Sequence, residues 1–156
     1  MRQFYLILSY ILAPLVVPIL IYKALRNPAY LDRWEERFGF GRTRTERRAI
    51  WIHAVSVGEV VAASPIVRIL RSRFPNVPIV MSTETPTGSQ RVAGLLGKYV
   101  IHTYVTYYMP GAVRRFFDRF RQRLAIIMEN ELCPNLSDES ARRKVPLVLA
   151  NARVSP

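Results

Sequence analysis

Ala49-Ile50-Trp51-Ile52-His53-Ala54-Val55-Ser56-Val57-Gly58-Glu59 is a short apolar, β-rich run that breaks into Ser-Val-Gly-Glu, and a helical pattern from Glu59 to Phe74 follows with no spacer. A strand that passes straight into a helix is how the first unit of a doubly wound α/β sheet is written. The junction matters because ligands of such sheets collect where loops leave the carboxyl ends of the strands. Glu59 stands at that junction, in the first turn of the helix, beside unpaired backbone N–H groups.

Outward from this unit the pattern repeats. Strands are expected at Ile50 to Val55, Pro78 to Ser82, Tyr99 to Tyr104, Leu124 to Met128 and Pro146 to Ala150. Helices are expected at Glu59 to Phe74, Gly88 to Leu96, Gly111 to Phe120 and, with a weaker pattern, Asn135 to Lys144. Strands alternating with helices across short connections predict one parallel sheet with helical crossovers. At 156 residues the chain is long enough for one α/β domain and too short for two.

The domain is expected to span 49–156. Ahead of it, Gln3 to Tyr22 carries no charge, about 20 residues, which is the length a membrane-spanning helix needs. Residues 1–26 therefore read as a membrane anchor, with Lys23 and Arg26 placing the domain on the cytoplasmic side. Pro14 and Pro18 would kink a spanning helix, so a shallow or re-entrant anchor fits the same residues. Residues 27–48, with Tyr30, Arg33, Trp34, Arg37 and Phe38, read as a basic juxtamembrane linker. Such a stretch is either solvated on one side or a collar at the lipid headgroups.

The formal charge is +12, from 23 Lys and Arg against 11 Asp and Glu, which calls for an anionic partner. Nucleic acid is disfavoured because the aromatics sit in apolar stretches and form no stacking platform. The single cysteine, Cys133, excludes an internal disulfide. Neither His53 nor His102 has a second Cys or His at metal-ligand spacing, so no zinc site is expected.

Polar groups gather just beyond the expected strands. Ser56, Gly58 and Glu59 follow the first, and Thr83-Glu84-Thr85-Pro86-Thr87-Gly88-Ser89 follows the second. Thr85, Thr87, Gly88 and Ser89 suit both a capped helix start and an anion cradle of N–H and O–H donors. Glu129, Asn130 and Glu131 follow the fourth strand, and Asn151 and Arg153 the fifth. These groups would share one crevice. Glu59 also has a plainer reading, as a helix N-terminal charge worth roughly 0.3–1 kcal/mol. Neither a Walker A motif nor GxGxxG is present.

Taken in order, His53-Ala54-Val55-Ser56-Val57-Gly58-Glu59, Thr85-Pro86-Thr87-Gly88-Ser89, Met128-Glu129-Asn130-Glu131-Leu132-Cys133-Pro134-Asn135 and Ala150-Asn151-Ala152-Arg153-Val154-Ser155 resemble the amino-terminal half of the 3-deoxy-D-manno-octulosonic acid (Kdo) transferases. The resemblance implies the Rossmann-like amino-terminal domain of a GT-B glycosyltransferase, on the cytoplasmic face of a bacterial inner membrane. Its reaction would move Kdo from CMP-Kdo to the lipid A precursor in lipopolysaccharide biosynthesis. It implies that Glu59 is the catalytic base and that Glu129 stabilises the transition state, with no cofactor or metal. The donor site of such enzymes lies in a carboxyl-terminal domain, so this stretch is expected to bind the acceptor and to be inactive alone. A different class of function, a non-catalytic membrane-surface module binding anionic lipid, fits the same charge and apolar start.

Overall fold

The structure, a computed structural model, describes residues 2–128 and 133–151. Five strands form one wholly parallel sheet in the order β3-β2-β1-β4-β5. They are β1 (Ile50–His53), β2 (Ile79–Thr83), β3 (Ile101–Tyr104), β4 (Leu124–Met128) and β5 (Leu147–Ala150). The connecting helices are α2 (Val57–Arg73), α3 (Pro86–Leu96), α4 (Pro110–Phe120) and α5 (Pro134–Arg142), and α1 (Arg2–Arg26) precedes them.

Strand periodicity sorts the core into two layers. Ile50 and Ile52 of β1 lie with Ile79, Met81, Ile126 and Met128 in the layer that takes Val60, Ala63 and Val67 of α2 and Val92 and Leu96 of α3. Trp51 lies with Val80, Ala125 and Ile127 in the opposite layer, against Val113, Phe116, Phe117 and Phe120 of α4 and Leu136 of α5. Burial on both faces explains why these strands read as continuous apolar runs and do not alternate. The Trp51 ring meets Phe116 edge-on at 4.9 Å and Phe117 at 5.9 Å between centroids. That is the edge-to-face geometry aromatic quadrupoles favour.

The expected elements form, with shifted ends. All four helices of the domain start earlier than their apolar periodicity. Ser56 and Thr85 act as N-caps for α2 and α3, and Pro86 and Pro110 occupy first-turn positions whose N–H would be unpaired in any case. β1 ends at His53, because Val55 and Ser56 belong to the cap of α2.

The expectation of an apolar membrane-spanning anchor is corrected. Among the described residues no helix is long and apolar enough to cross a membrane. α1 does form over the stretch, but Leu20 and Ala24 are buried and Lys23 pairs with Glu84 at 3.4 Å, so its last turns are held by the domain.

The segment 27–48 is packed onto the sheet more closely than a solvated linker. It makes two short 3-10 turns, Pro28–Leu31 and Trp34–Phe38, and buries Glu36 and Arg37. Tyr104 N–H donates to Glu36 Oε2 at 2.9 Å, Thr103 Oγ1–H donates to it at 3.3 Å, and Tyr107 N–H donates to the Arg37 carbonyl. Gly39 ends the second turn at φ +83, where an L side chain would be strained.

Candidate active site

In the order β3-β2-β1-β4-β5 the connectivity reverses between β1 and β4, so the topological switch point lies at the carboxyl ends of those two strands. Glu59 is in that position. Ser56 caps α2 and accepts from Glu59 N–H through Oγ at 3.3 Å, while Ser56 Oγ–H donates to Glu59 Oε1 at 2.9 Å. Val55 N–H donates to Glu59 Oε2, also at 2.9 Å. This is a variant of the capping box, with the carboxylate reaching one residue beyond the cap. Glu59 is 5% exposed, and no cation pairs with it among the described residues. A Cβ at Gly58 would meet only Ser56 Oγ, at 3.9 Å, so the space over the turn is open.

Thr85, Thr87, Gly88 and Ser89 form a second group beyond β2. Thr85 Oγ1 caps α3 by accepting from Gly88 N–H at 3.1 Å and lies 3.1 Å from Thr87 Oγ1. A Cβ at Gly88 would come within 3.2 Å of both Thr83 Cβ and Thr85 Oγ1, so the close approach of α3 to its strand calls for glycine. The two groups are joined by Glu84 N–H, which donates to the Val55 carbonyl at 3.4 Å. Asn151, beyond β5, is exposed and adopts a left-handed φ of 56°, which asparagine tolerates. Glu129, Glu131 and Arg153 lie outside the described residues.

Sequence reasoning missed a cluster beside the second group. Arg33, itself left-handed at φ 51, reaches across to β3 and α3. Its NH2 lies 2.9 Å from His102 Nδ1 and donates to Ser89 Oγ at 3.2 Å, and NH1 stands 3.5 Å from Glu36 Oε2. A guanidinium only donates, so His102 Nδ1 is the acceptor and its proton sits on Nε2, which donates to Thr83 Oγ1 at 2.9 Å. Burial first, then the charges of Arg33 and Arg37, hold the His102 pKa down at about 3, so the ring is neutral. Both guanidiniums lie over the Tyr104 ring, at 4.8 and 4.4 Å. The signal available in the sequence was the Arg33/Glu36 spacing of an ion pair on a helical turn; that it crosses to β3 is a tertiary fact.

Three residues before the cap, His53 is fully buried. Its Nδ1 lies 2.9 Å from Ser82 Oγ, which also accepts from Trp51 Nε1–H at 2.8 Å. Burial lowers its pKa to about 4. This trio ties β1 to β2 directly under the first group. On the other flank, the Asn135 side-chain amide donates to the Tyr108 carbonyl, joining the start of α5 to the loop after β3.

The fold and the position of these groups define a doubly wound, Rossmann-like α/β domain with its candidate site at the switch point. Residues 32–156 match the family described as 3-deoxy-D-manno-octulosonic-acid transferase (kdotransferase). A 3-deoxy-D-manno-octulosonic acid transferase of Haemophilus influenzae is 40% identical over 99% of this chain and 36% of its own length. A probable mitochondrial one of Arabidopsis thaliana is 35% identical over 98% of the chain and 34% of its own length. One of Rickettsia bellii is 31% identical over 99% and 37%, respectively. The chain belongs to the Kdo transferase family of glycosyltransferases and represents its amino-terminal part. It spans about a third of the length of these relatives.

Proposed function

We propose that this chain is the acceptor-binding half of a Kdo transferase that moves Kdo from CMP-Kdo to the lipid A precursor, with Glu59 as the general base. The observation that carries the reading is a buried carboxylate at the switch point, held by one N–H and one O–H and paired with no cation among the described residues. Each of its oxygens keeps a lone pair for a further proton donor. A sugar hydroxyl placed within hydrogen-bond reach would give its proton to Glu59 as its oxygen attacks the anomeric carbon and CMP leaves. Glu129 would act as stabiliser of the transition state. Ser56, Gly58, Thr85, Thr87, Gly88, Ser89, Glu131, Asn151 and Arg153 would line the acceptor side.

The same reading places the domain on the cytoplasmic face of a bacterial inner membrane. α1 exposes Ile11, Leu15 and Leu25, the last at 81%, and carries Lys23 and Arg26 in its final turn. An apolar surface beside cations suits a helix lying in one leaflet near anionic headgroups. The transfer reading is tested in a complete enzyme: Glu59→Gln should abolish Kdo transfer while the thermal unfolding midpoint stays near that of the parent. Transfer at near-parental rate would exclude Glu59 as the base. The 156 residues alone should transfer no sugar, and measurable turnover by them would overturn the proposed division of labour.

A further inference from the structure

The candidate site uses one edge of the sheet; the other edge carries an arginine-rich groove. The segments entering β1, β2, β4 and β5 meet there. A cavity of about 180 Å³ is lined by Arg48, Phe117, Arg121, Gln122, Arg143 and Val145. A second, of about 500 Å³, shares Arg48 and Arg121 with it and adds Arg47, Arg123, Asn76, Val77 and Glu46. Among the described residues, Glu46 is the only carboxylate on either lining.

The cations of this groove differ in what they already hold. Arg143 is committed, pairing with Asp118 at 2.7 Å and Glu139 at 2.6 Å. Arg48 NH2 donates to the Gln122 carbonyl at 3.2 Å, which fixes the side chain and leaves its remaining donors without partners among the described residues. Arg121 and Arg123 make no side-chain hydrogen bond or ion pair among the described residues. Gln122 is 2% exposed, and neither its amide nitrogen nor its amide oxygen has a partner among them. A buried amide left in that state is unfavourable and asks for an explanation.

Helix dipoles account for part of the charge, since α2, α4 and α5 all end at this edge and favour cations in their last turns. They do not account for Arg47, Arg48 and Arg123, which lie on loops leading into strands. We propose that Arg48, Arg121, Gln122 and Arg123 form a binding site for a soluble phosphate ester. The smaller cavity lies below the size usual for a whole organic ligand and fits a phosphate group; the larger one lies within that range and takes the rest of the molecule. Guanidiniums match phosphate oxygens in pairs, and Gln122 Nε2–H, on a residue lining the smaller cavity, is a donor whose hydrogen-bonding capacity is still open among the described residues. The soluble source rests on the proposed membrane placement of α1. α1 meets the domain through Glu84, at the carboxyl end of β2, whereas this groove lies a strand length away, about 15 Å, at the amino ends.

The test is phosphate binding by the complete protein, read as the rise in its unfolding midpoint and by titration calorimetry, with chloride at matched ionic strength as reference. Inorganic phosphate and AMP should each give a saturable rise. The double substitution Arg48→Gln, Arg121→Gln should weaken both at least tenfold, and Glu59→Gln should leave both unchanged, which separates this site from the proposed transfer chemistry. Should the double variant fail to fold, Arg123→Gln, at an exposed position, should still weaken binding several-fold. An equal rise in chloride, or parental phosphate affinity in these variants, would overturn the proposal. Loss of binding to phosphatidylglycerol vesicles in the variants without any effect of free phosphate would also overturn it, in favour of a lipid headgroup. So would capture of a single-stranded oligonucleotide that free phosphate does not displace.

Discussion

Glu36 and Glu59 are both buried carboxylates, 3% and 5% exposed, and each accepts one backbone N–H at 2.9 Å and one hydroxyl. They differ in their third neighbour. Glu36 has Arg33 at 3.5 Å and joins the amino-terminal segment to β3, whereas Glu59 has no cation among the described residues and stands at the open end of β1. A charge already matched by a guanidinium and strand donors is spent on architecture. One matched only by a helix start keeps capacity for an incoming proton. Two residues with nearly the same burial therefore separate into a fastener and a candidate base, and burial alone would not have told them apart.

The contrast can be broken at several points. In a complete enzyme, Glu59→Gln should lower the transfer rate at least ~100-fold, the usual scale for a lost general base, while Glu36→Gln should leave it within a few-fold of the parent. Stability should respond in the reverse order. Glu36→Ala leaves the Tyr104 N–H buried without its acceptor and should cost about 2–3 kcal/mol in urea unfolding, against about 1 kcal/mol for Ser56→Ala. Equal losses from both would remove the distinction. The two neutral histidines sharpen it by pH. The folded-state pKa values, about 4 for His53 and about 3 for His102, lie below the unfolded value near 6.5, so the unfolded chain takes up protons first as pH falls. Stability should thus be full above pH 6.5 and drop on acidification toward pH 4, by about 1.4 kcal/mol per pH unit for each histidine. His102→Gln should remove one histidine's share of that slope. The smallest effect expected is Thr85→Ala, about 1 kcal/mol of stability, with the unfolding transition otherwise unchanged.

How far the sequence can be read depends on how local each cause is. The central strands are legible because burial on both faces leaves apolar runs such as Leu124 to Met128. The Ser56 and Thr85 turns are legible because a cap and its partner lie three residues apart. The contacts that escape such reading need two distant segments. Arg33 meets His102 and Ser89 across 69 and 56 positions of chain, and Glu36 meets Tyr104 across 68. Nothing in the spacing of 27–48 distinguishes a solvated linker from a segment that tucks two charged residues under a sheet edge. α1 departs from its sequence reading for a related reason: its uncharged length is plain, but the burial of Leu20 and Ala24 and the Lys23–Glu84 pair depend on what the folded chain brings beside it.

The Ser56–Glu59 box also bears on how such genes decay. Because the proposed base and the lock on the first turn of α2 are the same side chain, a copy released from selection for transfer would still be selected to keep a Ser-x-x-Glu or Ser-x-x-Gln box for folding. Retention of this signature across a lineage therefore records a fold that persists, and turnover has to be established by assay. The informative letter would be a Gln at this position, which preserves acceptor geometry at one oxygen while giving up the negative charge.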